Sequence, residues 1–337
     1  MVSQAEANYS AGDDDFDLVA VLPAASKQGT EAAQLIQLVT PENPYGTRID
    51  LFLSRLVPQF SRARLQTWLE AGRISADGVC ATAKTRLLGG ESVRIVTAPS
   101  AEQQAFAPEP VPLDIVFEDA HIIVLNKCPG LVVHPAAGNW SGTVLNGLLH
   151  HAPLLAQVPR AGIVHRLDKD TSGLMAVAKT LEAQTALVRQ LQARTVRREY
   201  LAVVAGLVTA AGTVDAPVGR HPSQRTQMAV LAADAAGAKP AITHYTPLAV
   251  YARGATLIEC RLETGRTHQI RVHLRHAGHA LAGDPVYGVL PSRTWFGRQA
   301  LHARTLAFKH PHSKRLVTFE APPPPDMAAL MAVLESE

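Results

Sequence analysis

The stretch G-I-V-H-R-L-D-K-D-T-S-G-L-M-A-V-A, Gly162 to Ala178, sets one carboxylate, Asp168, in a polar loop that runs into an apolar segment. A side-chain acid placed this way can attack an electrophilic carbon or remove a proton, so the loop is a candidate seat of nucleophilic or general-base chemistry. Ile163 and Val164 lead in, Thr171-Ser172-Gly173 is a turn signal, and Leu174 to Ala178 reads as a buried strand. Asp168 and Arg166 are therefore expected on a rigidly anchored loop. Taken alone, the loop leaves a second reading open, in which Asp168 caps a turn or pairs with Arg166 at the surface.

Two other chemistries share parts of this pattern. Asp168-Lys169-Asp170-Thr171 is similar to the D-x-D of aspartyl-nucleophile phosphatases, and H-R-L-D to the H-R-D of protein kinases. In the first case His165 and Arg166 interrupt the apolar strand that should lead directly to the nucleophile, and Ser172 stands where Thr or Val is expected. The second needs a glycine-rich phosphate loop and a D-F-G metal site, and the chain has neither.

The elements that must position the loop are short. Strands are expected at Ile122 to Leu125, Tyr200 to Val204 and Leu257 to Leu262, and a helix at Leu181 to Leu191 with Leu187, Val188 and Leu191 on its apolar face. The pattern is mixed α/β without a regular βαβ repeat, and no G-x-G-x-x-G follows a strand, which argues against a nucleotide-cofactor fold. Upstream, residues 47–97 read as a small module. Ile49, Phe52, Leu53 and Leu56 recur at helical spacing; Ser61 can cap a second helix with Leu65, Trp68 and Leu69 inward and Gly72 at its end. Asp77-Gly78 predicts a tight hairpin, and Val93 to Val96 a closing strand. Residues 98–112, with Pro99, Pro108, Pro110 and Pro112, read as an extended linker to a domain at 113–337.

The chain has 337 residues, 47% of them apolar, enough for two domains with real cores. No apolar run approaches the roughly 18 residues of a membrane span, and the acidic start lacks the basic region of a secretory signal. Cys80, Cys128 and Cys260 are unpaired by spacing, which suits reduced thiols in a cytoplasm, no zinc site, and a role as small buried hydrophobes. The net charge of +3 hides an asymmetry: residues 1–46 carry seven acids and one base, net −6, leaving +9 for the rest. The first 46 residues are expected to be an acidic, largely disordered tail, and the basic remainder suits a polyanionic partner.

Three segments together resemble the pseudouridine synthases that modify ribosomal RNA: the H-R-L-D loop, Arg198-Glu199-Tyr200-Leu201-Ala202-Val203-Val204, and Thr264-Gly265-Arg266-Thr267-His268-Gln269-Ile270-Arg271-Val272-His273. P-R-A-G-I-V-H-R-L-D-K-D-T from Pro159 and G-D-P-V-Y-G from Gly283 bring the chain nearest to members acting on the large subunit. The resemblance, from about Arg48 to about Leu330, implies an α+β fold: a mainly antiparallel mixed sheet with a central RNA-binding cleft. It implies Asp168 as the catalytic aspartate, Tyr200 as the active-site tyrosine and Arg271 as the arginine that pairs with the aspartate. Arg166 would fill the gap left by a flipped uridine. The order S-R-A-R-L, E-A-G-R-I, A-D-G, L-G-G-E in the small module resembles the alpha-L RNA-binding domain of ribosomal proteins, which would lay Arg62, Arg64 and Arg73 along RNA phosphates.

The implied reaction converts specific uridines of 23S large-subunit ribosomal RNA, in free RNA or a subunit, to pseudouridine. It consumes nothing, so no cofactor, metal or nucleotide is expected, and the protein is expected to be a cytoplasmic monomer. Burial would raise the pKa of Asp168 and favour its neutral form; an adjacent guanidinium typically lowers a carboxylate pKa by about 1–3 units. Residue by residue, Arg271 could also be a strand-surface charge, and Tyr200 a core tyrosine. One departure stands out: Asn126-Lys127 is followed by Cys128 and only then Pro129, where relatives read N-K-P. Two rival functions are an RNA-binding ribosome-assembly factor without need of chemistry, and a base-flipping hydrolase, for which only Asp170 offers a second nearby carboxylate in sequence.

Overall fold

The computed structural model describes residues 35–41, 46–98, 105–136, 138–224 and 226–336. The chain divides into two compact units, with Ala25–Ala105 in one and Phe106–Glu337 in the other. In chain order the first contains β1 (Leu35–Val39), β2 (Thr47–Arg48), α1 (Ile49–Leu56), α2 (Arg62–Glu70), β3 (Ile74–Ala76), β4 (Val79–Cys80), β5 (Arg86–Leu87) and β6 (Ser92–Val96). Both helices follow the apolar spacing, since Ile49, Leu53, Leu65, Trp68 and Leu69 share one core with Ile74, Val93 and Ile95. Ser61 accepts the backbone N–H of Arg64 as the cap of α2. Asp77 and Gly78, both left-handed, make the turn between β3 and β4.

The start of this unit corrects the expected tail. β1 lies within residues 1–46, antiparallel to β6 with Leu35 opposite Val96, and turns Ile36 and Leu38 toward the core. L-I-Q-L-V is a five-residue apolar signal that the acids before it outweigh in a composition window. Residues 1–34 and 42–45, the remainder of the expected tail apart from Thr40, Pro41 and Gly46, lie outside the described residues, as do 99–104 of the expected linker.

The basic face of α2 is also less free than its sequence suggests. Arg62 donates to the carboxylate of Asp50 at 2.8 and 3.0 Å, and Arg48 and Gln66 bind the same fully buried group. Burial would push Asp50 up; the bonds from Arg62, Gln66 and Arg48 outweigh it and bring it down to about 2. Arg64 is half-buried, its guanidinium 5.0 Å from the centre of Trp68 and 5.3 Å from that of Phe60, with a bond to the Ala98 carbonyl. Only Arg73 of the three is exposed with no side-chain bond among the described residues. The expectation of an exposed basic row therefore holds for Arg73, while Arg62 and Arg64 also hold the unit together.

The second unit is built on a nine-stranded sheet. Its first part comprises β7 (Ile115–Glu118), β8 (Ile122–Lys127), α3 (Val144–His151), β9 (Ser172–Ala178), α4 (Leu181–Gln192) and β10 (Arg197–Ala205). Next come β11 (Gly212–Asp215), the hairpin β12 (Val218–Arg220) and β13 (Met228–Val230), β14 (Ile242–Tyr251) and β15 (Ala255–Leu262). The chain ends through α5 (Gln269–His276), β16 (Leu301–Lys309), β17 (Leu316–Glu320) and α6 (Pro325–Ser336). Strand order is β11-β14-β15-β10-β16-β9-β8-β7, with β17 also paired to β16. Every pairing is antiparallel except β16 with β9. β9 is buried throughout because both faces are covered: Met175 and Val177 enter a core with α3, while Leu174, Ala176 and Ala178 enter another with α4. That explains its unbroken apolar run.

The sheet forks beside the start of β9. β16 pairs with β9 only at His302–Ser172 and Ala303–Gly173, and from Thr305 onward that edge belongs to β17. Gly173 has φ +114°, and a Cβ there would lie 2.2 Å from the Ala303 carbonyl oxygen. Only glycine lets the strands approach this closely before diverging. The cysteine reading needs correction: Cys260 is buried, but Cys80 and Cys128 are exposed, one on a two-residue edge strand and one in the turn after β8.

Arg62→Ala and Arg64→Ala should each destabilise the full chain by about 1 kcal/mol, the scale of a lost hydrogen bond or cation–aromatic contact. Urea unfolding of the two variants beside wild type measures this; unchanged midpoints would return both side chains to the role of free surface charges.

Candidate active site

The loop from His165 to Thr171 is tied down at nearly every residue. His165 is buried, and its Nε2 accepts the backbone N–H of Ala176 at 3.0 Å; burial and the charge of Arg198 push this ring down to about 3, so it stays a neutral acceptor. The carbonyl of Asp168 accepts Thr171 N–H, that of Lys169 accepts Gly130 N–H and Lys127 Nζ, and that of Asp170 accepts Arg298. Gln299 donates to the Thr171 hydroxyl. Lys127 is 1% exposed and uses its three protons on the carbonyls of Cys128, Leu131 and Lys169, at 2.8–2.9 Å. Burial brings its pKa down to about 8, against the pull of nearby anions that include Asp168. The extra residue Cys128 is thus accommodated in a turn whose carbonyl still binds Lys127.

α5 supplies the cation. Gln269, at its first position, uses all four of its bonds: its oxygen accepts from Thr264 Oγ1 and Arg266 N, and its amide donates to Ile242 O and Thr243 Oγ1. His273 contacts Thr243 and the Ala216 carbonyl one turn later. Between these anchors Arg271 is 4% exposed, and it is helical rather than a strand-surface charge. Its NH1 donates to Asp168 Oδ2 at 3.0 Å, while Nε and NH2 fork onto Asp284 at 2.8 and 3.0 Å. Asp284 Oδ1 also accepts Val286 N and Tyr287 N. Tyr287 lies against the guanidinium, 5.0 Å from ring centre to Cζ.

Burial alone would push the Asp168 carboxyl up. Against this, His268 when protonated, the Arg271 charge and hydrogen bond, and Arg166 hold it below its ordinary range. Arg271 itself is held firmly cationic, since its two carboxylates overcome the cost of burial. The result is a carboxylate 16% exposed and ionised at neutral pH, opening on a cavity lined also by Arg166, Arg198, Tyr200 and His268. Tyr200, on β10 opposite Cys260 of β15, is 6% exposed; burial and the charge of Asp168 raise its phenol against the opposing effect of Arg198, so it keeps its proton.

Asp168, Tyr200, Arg271 and Arg166 are therefore brought together, whereas Arg62, Arg64 and Arg73 belong to the other unit. Sequence reasoning missed Lys127, His268, Asp284, Tyr287 and Arg298. Asp284 and Tyr287 stood in the quoted G-D-P-V-Y-G, but nothing local says that an acid there binds an arginine thirteen residues earlier.

A family profile described as RNA pseudouridylate synthase matches residues 121–276. The ribosomal large subunit pseudouridine synthase D of Nitrosomonas europaea is 51% identical, over 98% of this chain and 94% of its own. The protein of the same description from Neisseria meningitidis serogroup A is 50% identical, over 98% of this chain and 87% of its own. Among solved structures, human RNA pseudouridylate synthase domain containing 1 superposes with a TM-score of 0.53 at 26% identity, covering 66% of this chain and 89% of that one.

Arg271→Lys keeps a charge but loses the fork onto Asp284, so the Asp168 carboxyl should titrate at higher pH than in wild type, as followed by carboxyl carbon NMR. The sign for stability follows. A carboxyl lowered from its ordinary 3.8 stabilises the fold above that pH and ceases to as the pH falls through its folded value. The lysine variant should lose part of that contribution; an identical titration would mean that other cations hold Asp168.

Proposed function

The chain belongs to the RNA pseudouridylate synthase family and is an isomerase, and from that premise we propose that Asp168 reacts with specific uridines of large-subunit ribosomal RNA to give pseudouridine. The observation that carries the site assignment is Asp168 itself, a carboxylate kept ionised in a cavity by Arg271, with a tyrosine ring on the same wall. The reaction breaks the bond from ribose C1′ to uracil N1 and joins C1′ to C5, with the C5 proton lost and one gained at N1. An ionised carboxylate beside the sugar serves it either as a nucleophile at C1′ or as a base toward a ribose proton. Nothing is oxidised or transferred to another molecule, so this reading calls for no redox carrier, metal or nucleotide.

A uridine in a stem cannot reach Asp168 unless it leaves the stack, at a cost of a few kcal/mol. Stacking on an aromatic ring returns roughly 1–3 kcal/mol per base, and Tyr200 is the ring on the cavity wall. Arg166, two residues from Asp168, would occupy the vacated place in the RNA. The hydrolase alternative needs a second carboxylate able to hold a water. Asp170, the second carboxylate in the loop, is not among the residues lining the cavity, and Asp284, the other acid on the same guanidinium, has its oxygens engaged by Arg271, Val286 N and Tyr287 N. We read the N-terminal unit as the alpha-L domain that holds flanking RNA, and the protein as a monomer working in the cytoplasm. No helix among the described residues is long and apolar enough to cross a membrane.

Asp168→Asn, nearly isosteric but uncharged, should abolish pseudouridine formation on a ribosomal RNA transcript while leaving RNA binding within a few-fold; substantial single-turnover activity in the folded variant would sink the assignment. Arg73→Ala isolates the N-terminal unit, because that side chain makes no fold-holding bond among the described residues. One lost phosphate contact should weaken RNA binding, flatten the log–log salt slope by about 0.7, and leave turnover at saturating RNA unchanged. An unaltered slope would remove Arg73 from the RNA path.

A further inference from the structure

We propose that His268 binds the 2′-hydroxyl of the target ribose and is the residue by which the site distinguishes RNA from DNA, an inference that rests on reading the site as a uridine isomerase. The two oxygens of Asp168 are unequal. Oδ2 accepts from Arg271, whereas Oδ1 has no hydrogen bond among the described residues and lies 4.0 Å from Nε2 of His268. Oδ1 is therefore the oxygen open to the sugar, and the sugar must come to the gap beside the imidazole.

That gap is too long for a direct hydrogen bond, but one oxygen at about 2.8 Å from each atom closes the triangle. The bridging group must accept from the ring and donate to the carboxylate at once, which a hydroxyl does and an ether or carbonyl oxygen does not. On a ribose with C1′ at Oδ1, the neighbouring hydroxyl is the 2′-OH. The ring oxygen O4′ and the uracil carbonyl O2 have no proton to give.

The imidazole is set up as a donor. Tyr287 Oη accepts the Met228 backbone N–H at 2.8 Å and lies 2.8 Å from His268 Nδ1, so the phenolic proton goes to Nδ1 and the ring proton to Nε2; this tautomer is assigned from the network. The groups facing the ring are Asp168 and Arg166 from the loop, Arg271 from α5, and Asp284 and Tyr287 from the segment after it. Burial and the two arginines outweigh the two carboxylates and keep the ring neutral. The backbone agrees with a functional placement. His268 sits at φ 55°, ψ 17° at the start of α5 without making a side-chain cap bond, a left-handed conformation unfavourable to a residue with a Cβ.

The test compares wild type with His268→Phe, which keeps a planar ring and removes the donor. Single-turnover rates are measured on two RNA oligonucleotides differing only in uridine or 2′-deoxyuridine at the target position. Wild type should be slower on the deoxy target by about tenfold or more, the scale of a hydrogen bond whose site partners are left unpaired. The phenylalanine variant should lose a similar factor on uridine and only about two- to threefold further on removal of the hydroxyl. A variant that keeps the wild-type ratio, or a wild type indifferent to the hydroxyl, overturns the proposal. His268→Asn, which tolerates left-handed backbone and is too short to span the gap, carries the same comparison if the phenylalanine variant does not fold. Absence of pseudouridine from the wild-type reaction on uridine would instead refute the isomerase reading beneath it.

Discussion

One guanidinium between two carboxylates holds the proposed site together. Asp284 is fully buried, Arg271 nearly so, and Asp168 only partly open, so three charges share a region where each alone would be costly. Such an arrangement is a poor device for stability, because an apolar trio of similar volume would fold as well or better. Its value lies in the ionisation state it imposes. Asp284 engages two of the three guanidinium nitrogens of Arg271, the third donates to Asp168, and Asp168 lines the cavity. Loss of any member leaves an unpaired charge, or a protonated acid where the proposed reaction calls for an anion.

The sheet exists around this arrangement in a specific way. Asp168 precedes β9 by four residues, and β9 begins where it touches β16 at Gly173 and Ala303. The fork frees the loop from strand pairing, yet Lys127, Gly130 and Arg298 bind its carbonyls from β8, the following turn and the segment before β16. A loop held by backbone bonds keeps its position while its side chains remain available. Arg298 extends the hold further, since it forks onto Asp326 at the start of α6.

What could be read from the sequence follows from how local each signal is. Ile163 and Val164 and the apolar run from Leu174 marked the loop's ends, although the expected turn at Thr171 to Gly173 is already strand from Ser172 onward, and apolar spacing located α1, α2 and α4. The co-location of Asp168, Tyr200 and Arg271 came only from three resembling motifs, because the closest pair of them in sequence is thirty-two residues apart. Partners chosen by tertiary approach were invisible. Lys127 reads as the polar end of a strand, and only the folded turn shows three carbonyls converging on its ammonium. Arg62 and Arg64 show the same limit from the other side: helical position marked them as exposed, and Arg62 is, but nothing local announced that it binds a buried acid twelve residues earlier or that a pair of aromatic rings half-buries Arg64. β1 was hidden because charge composition averages over a window longer than a five-residue strand.

On the proposed reaction, the division of labour within the cavity has a physical reason. The base must turn between the breaking of one bond and the making of the next, while C1′ must stay where both events occur. Directional contacts therefore belong on the sugar side, where Asp168, Arg271 and the Tyr287–His268 pair are fixed by forked and chained hydrogen bonds. On the base side a directional bond to N1 or O4 would have to break for the ring to rotate. A stacking face such as that of Tyr200 holds a base by contact area and tolerates rotation in the plane of the ring. An aromatic side chain over the base and a network of charges at the sugar are thus the arrangement that lets one half of the nucleotide move while the other does not.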